Sequence, residues 1–175
     1  LHVRSRRQRQ MCIRDRVRIG ALPDSSLTAV PVGQVRRVVC AAPGFLRQHG
    51  EPKDLDALPR FCTITAAMEG RGTQWRFQQD GQVRRLSVDS QLTVTSFQAA
   101  VLAACEEWGL TQVVSYQVAR HLASGALQVV LRDFELPPMP VHVVYPEGRK
   151  SSAKVRSFVD FCVDALRRDL AALPV

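Results

Sequence analysis

Hydroxyl side chains gather at two points along this chain: Thr63 and Thr65 in FCTITA, and Thr95 and Ser96 in VTSF. A hydroxyl at a helix start commonly caps a free backbone N–H. The same arrangement, free N–H groups beside hydroxyls at a helix N-terminus, also receives a carboxylate or another anion. Both uses stay open for Thr95 and Ser96, and Thr95 with Gln98 has capping-box spacing. Phe97 beside them supplies either an apolar wall or a core side chain.

Other chemistry has little support. His2, His49, His121 and His142 are scattered, without HExxH or acid–histidine spacing, so no metal ligands are assigned. There is no GxSxG elbow, no phosphate-cradling glycine loop and no GxGxxG after a strand, so neither a cofactor nor a catalytic residue is expected. Lys53, Lys150 and Lys154 fall in polar helix starts or loops. Trp75 and Trp108 are too separated for a stacking platform, and Tyr116 opens a helix as a core aromatic. The five cysteines (Cys12, Cys40, Cys62, Cys105, Cys162) are odd in number, widely spaced and mostly inside apolar runs. That pattern predicts reduced, buried thiols and a cytoplasmic protein rather than a disulfide frame.

The elements that must position these residues follow an α/β pattern. GLTQVVS (109–115) is a strand, YQVARHLASG (116–125) a helix closed by Gly125, and ALQVVL (126–131) a strand. VHVVYP (141–146) is the next strand, and 151–170 a long final helix with Val155, Phe158, Val159, Cys162 and Leu166 on its core stripe. Such alternation predicts a mostly parallel sheet with a ligand crevice beyond its carboxyl ends. Upstream, VRIGAL (17–22) is a strand, PDSS (23–26) a turn, and 27–43 extended. Short helices occupy 44–50 and 52–60, and MEGRGTQ (68–74) is a polar loop. WRFQQDGQVRRLSV (75–88) is a hairpin around Asp80-Gly81. QLTVTS (91–96) is a strand, and 97–109 a helix apolar on nearly all sides and therefore expected to be buried.

Charge is unevenly placed. Residues 1–18 hold seven arginines against Asp15, carrying +6 of the formal +8 and leaving +2 for the rest. The segment 1–16 has no helical or strand period, and QRQMCIRDR resembles translated adapter sequence. It is read as a non-native or disordered arginine-rich head, which removes the basic pI of about 9.9 as an argument for a nucleic-acid partner. The native chain then enters partway through a strand at Val17, with more sequence expected upstream. Nothing approaches the ~18 consecutive apolar residues of a membrane helix.

Taken together, RIGALPDSSL (18–27), RRVVCAAPGFLRQHG (36–50), GLTQVVSYQVARHLASGALQVVL (109–131) and PVHVVYPEGRKSSAKVRSFVDF (140–161) resemble the effector-binding domain of a LysR-type transcriptional regulator. The resemblance covers 17–168. It implies a two-lobed domain similar to a type 2 periplasmic binding protein, with a small effector held between the lobes. By that likeness the lobes are 17–33 with 141–170, an incomplete first lobe, and 34–140, the second. Crossovers would fall near 30–36 and 138–142. The family's winged helix-turn-helix has no counterpart here, so DNA is a partner only through that missing N-terminal part, in an intact homodimer or homotetramer. Carried over by position, the cleft residues are Thr63, Thr65, Thr95, Ser96 and Phe97, with Arg18 facing them from the first lobe. Many relatives have Asn-Asp where Thr95-Ser96 stands. The effector implied is a small organic or aromatic acid.

Three rival readings are a periplasmic solute-binding protein of an uptake system, an enzyme on a similar scaffold, and a nucleic-acid binder using the arginine head. Absence of the opening βαβ would leave strands 17–20 and 141–146 without neighbours, as exposed aggregation-prone edges.

Overall fold

The computed structural model describes residues 16–22, 27–66, 74–146 and 153–173. The head through residue 15, the PDSS turn, most of the 68–74 loop, and Lys150 lie outside the described residues. So does the expected start of the last helix at 151–152.

The apolar run after Arg36 is almost fully buried because it is an interior strand of a five-stranded sheet, with a strand on either side. This strand, β3 (Arg37–Ala41), follows β1 (Arg16–Ile19) and β2 (Leu27–Val35). It is flanked by β8 (Leu110–Val114) and β9 (Gln128–Val130), both antiparallel to it. Beyond β8 lie β4 (Thr63–Ala66) and β7 (Leu92–Val94), parallel to β8 and to each other. Four strands therefore run one way and β3 runs against them. Its alternate side chains serve two cores, which is why VVCAA shows no polar positions. Val38, Cys40 and Ala42 join the core beneath the helices, while Val39 and Ala41 join Phe45, Leu55, Leu58, Trp75 and Phe77 on the other face.

Local signals set the boundaries. Pro43 opens α1 (Pro43–His49), and Gly50, at φ 83°, closes it by donating its N–H to the Leu46 carbonyl. Residues 52–60 form a 3-10 turn, Leu55–Arg60, rather than an α-helix; Asp54 caps it by accepting the Ala57 N–H at 2.8 Å. Pro59 inside that segment explains the short form. The hairpin of β5 (Gln74–Gln79) and β6 (Gln82–Ser87) turns at Asp80-Gly81, both at positive φ. Gln112 fastens it to the sheet by accepting the Arg76 N–H and donating to the Arg76 carbonyl.

On the helical face lie α2 (Phe97–Cys105) and α3 (Ser115–Ala123). Ala100, Val101 and Ala104 of α2 are fully buried, but Leu102 is half exposed, so the helix is covered on one side only. Tyr116 of α3 is 47% exposed, not a core aromatic.

The strand at 141–146 is not the next strand of the parallel winding. It belongs to β10 (Met139–Pro146), in the middle of a separate antiparallel sheet between β1 and β2. It therefore has neighbours on both sides, contrary to the sequence-based expectation; β1 and β2 form the edges. The final helix, α4 (Ala153–Ala171), covers this sheet with Val155, Val159, Cys162, Val163 and Leu166. Phe158 faces outward at 55% exposure, so the core stripe passes through Val163 instead.

Candidate functional site

Two groups of the expected site residues form, and they lie on different faces of the larger sheet. The first is at the start of α2. Ser96 is the N-cap, with extended backbone, and its hydroxyl makes no capping hydrogen bond; the Thr95–Gln98 capping box does not form. The opening N–H groups of a helix have no partner within it, so here they lack a side-chain acceptor. Thr95 and Ser96 are exposed, and Phe97 is half-buried against the core under the helix. Together they line an open depression whose far wall is Tyr116, Arg120 and His121 of α3. Hydroxyls, a helix N-terminus with its partial positive charge and a guanidinium meet there. That combination suits an anion.

The second group is Thr63 and Thr65. Both are buried, at 2% and 6% exposure, and both turn toward Ser90. The Thr63 N–H donates to the Gln91 side-chain carbonyl at 2.7 Å. Because strand side chains alternate, these threonines share a face opposite Ile64, which packs under α2 and α3. Their hydroxyls are engaged in internal bonds. Arg18 stands apart from both groups, in β1 opposite His142.

Sequence reasoning missed Ser90, Gln91, Tyr116 and Arg120, since nothing in their spacing shows which elements face each other. It also missed the passages between the sheets. Arg36 is the single residue between β2 and β3. Its N–H donates to the Ser115 hydroxyl at 3.1 Å, and its carbonyl accepts the Ser115 N–H at 2.8 Å. Glu135 lies on the return passage between β9 and β10, and its carboxylate meets the Arg36 guanidinium at 3.2 Å. Burial raises the Glu135 carboxyl above its ordinary range, against the pull of Arg36 and Arg132.

The thiols divide by environment. Cys40 is buried and its thiol is pushed up to about 12 by desolvation; Cys105 and Cys162 are half-buried, and Cys62 is exposed. All four are free, but only Cys40 meets the expectation of burial. Cys105 contacts His121 at 3.5 Å. Among the described residues no cluster of three metal-ligating side chains occurs, and no helix is long and apolar enough to cross a membrane.

Residues 14–167 match the family model of the LysR substrate binding domain. An HTH-type transcriptional regulator of Xanthomonas campestris pv. campestris is 34% identical over 160 residues, covering 87% of this chain and 46% of the relative. The HTH-type transcriptional activator AaeR of Escherichia coli is 26% identical over 148 residues, covering 85% and 48%. The chain thus spans about half the length of the curated relatives it matches. Among solved structures, CrgA of Neisseria meningitidis, a LysR-type transcriptional regulator, superposes with a TM-score of 0.74 at 24% identity, over 86% of this chain and 51% of that one. The regulatory domain of AphB from Vibrio vulnificus gives 0.72 at 23%, over 85% and 73%. These likenesses carry the two-lobed, periplasmic-binding-protein-like fold.

Proposed function

This chain belongs to the LysR substrate-binding domain family, and on that premise we propose that it senses a small organic or aromatic acid for a DNA-binding regulator. Residues 34–140 form the second lobe and 17–33 with 141–170 part of the first. The regulator works in the cytoplasm as a homodimer or homotetramer and reaches DNA through a winged helix-turn-helix. The relatives are transcriptional regulators, which favours this reading over an uptake protein or an enzyme.

One observation supports the site above others: the Ser96 hydroxyl and the first turn of α2 are left without a capping bond, facing Arg120. The effector carboxylate accepts hydrogen bonds from that turn and from Thr95 and Ser96, with the Arg120 charge nearby. Phe97 and Tyr116 flank its apolar part. Thr63 and Thr65 act indirectly, holding Ser90 and the strand that leads to Thr95. Arg18 closes the site from the first lobe when the lobes approach. A ligand shifts lobe orientation only by its difference in affinity for the two arrangements.

Calorimetry of the full-length regulator against a panel of carboxylic acids tests the assignment. Ser96→Ala and Arg120→Ala should each weaken the best acid by about tenfold or more, the scale of one hydrogen bond to a charged group. Unchanged affinity in both variants overturns the site.

A further inference from the structure

The larger sheet carries a second cavity, on the face away from α2 and α3. It has a volume of about 280 Å³ and lies between the 3-10 turn and β6. Leu55, Leu58 and Val88 line it, at 2%, 1% and 8% exposure. Phe61 and Leu86, both partly buried, complete the apolar side, and Thr63, Ser87 and Gln91 make the opposite side polar. An apolar cavity of roughly 150 Å³ admits a benzene molecule. This one has room for a single ring with a short substituent.

The charges at its mouth decide what that substituent is. Arg84 lines the cavity, but its guanidinium is already committed: one nitrogen contacts the Asp56 carboxylate at 2.7 Å and another donates to the Gln79 side-chain carbonyl at 2.7 Å. Asp89 lines the same opening and has no ion-pair partner among the described residues. The uncompensated charge is therefore negative. An apolar side beneath a single free carboxylate selects an amphipathic cation.

The geometry points to a binding site for a small amine, with an aromatic or branched aliphatic body seated on Leu55, Leu58 and Val88 and its ammonium group against Asp89. The site borders Thr63 and Gln91 of the second residue group, but it differs from the α2 depression in sheet face and in the sign of charge it prefers, so ligand contact at the two places is read separately.

Nitrogen-15 spectra of the full 175-residue chain, titrated with benzylamine and separately with benzoate, test it. Benzylamine should shift amides in 55–61 and 84–91, with benzoate at least about tenfold weaker, as expected when a charge-assisted contact is replaced by repulsion. Asp89→Asn should remove that preference, and Val88→Phe should abolish binding by filling the cavity. Asp89→Asn changes an exposed side chain, so the charge test survives if Val88→Phe fails to fold. Benzoate shifting the amides of 55–61 and 84–91 as strongly as benzylamine overturns the proposal. So does an unchanged preference in Asp89→Asn, or benzylamine shifts confined to 95–98 and 120–121, or no shifts. The amides of 95–98 report separately on the effector site.

Discussion

The Arg36 guanidinium and the Glu135 carboxylate meet at 3.2 Å across the two passages that join the sheets. Glu135 is the more enclosed partner, with its side chain 8% exposed against 28% for Arg36, and neither of its oxygens has a hydrogen bond among the described residues. Arg36 can regain water if its partner is lost, whereas Glu135 cannot. The pair therefore has an uneven dependence on its two members.

Arg36→Gln should destabilise the chain by about 3 kcal/mol at neutral pH, the cost of breaking a buried ion pair and leaving Glu135 only the more distant pull of Arg132, while Glu135→Gln should cost far less. Because burial raises the folded-state carboxyl, the group's stabilising contribution is complete below its unfolded value of roughly 4.3. It is lost as pH rises through the folded value. The Arg36→Gln deficit should accordingly shrink in acid. Urea denaturation of parent and variant at acid and neutral pH measures this, and an equal deficit at both would count against it.

Helix starts offer a second contrast. Asp54 accepts a capping hydrogen bond from Ala57 at 2.8 Å, whereas Ser96 caps nothing with its hydroxyl. Asp54→Ala should cost about 1 kcal/mol. Ser96→Ala should leave the unliganded stability unchanged while still weakening effector binding. Paired denaturation curves decide; a loss for Ser96→Ala equal to that for Asp54→Ala would restore the hydroxyl to a structural role.

Gly109 sits at φ 152°, and a Cβ there would lie 2.4 Å from the Cys62 carbonyl oxygen. That carbonyl also accepts the Leu110 N–H at 2.9 Å, which holds the two segments together. Gly109→Ala should cost more than about 2 kcal/mol, adding a clash to backbone strain. Gly125, at φ 75° with open space around it, should lose only about 1 kcal/mol on the same change. Thermal melts of the two variants should rank in that order.

Thiol reactivity should follow burial. Cys62 is exposed, Cys105 is raised by burial and by Glu106, and Cys40 is buried with its thiol near 12. Of these three, iodoacetamide followed by peptide mass spectrometry should label Cys62 first, Cys105 slowly, and Cys40 only on unfolding. Early labelling of Cys40 would show that the β3 core opens readily.

Short-range physics was legible in the sequence. Asp80-Gly81 sets a hairpin turn because both residues accept positive φ, and Gly50 ends a helix for the same reason. The alternation of strand and helix from 109 to 131 gives β8 and β9 the same direction, but they are not the parallel neighbours it predicts: β3 lies between them, antiparallel to both. Residue periodicity states which side of an element is apolar, not which partner covers it. Only the tertiary structure could place β10 between β1 and β2, turn Thr63 and Thr65 toward Ser90, bring Arg120 opposite Ser96, and set Arg36 against Glu135. The Arg36–Glu135 contact joins residues far apart in the chain, and its geometry depends on how two sheets are connected, which no local pattern of side chains encodes.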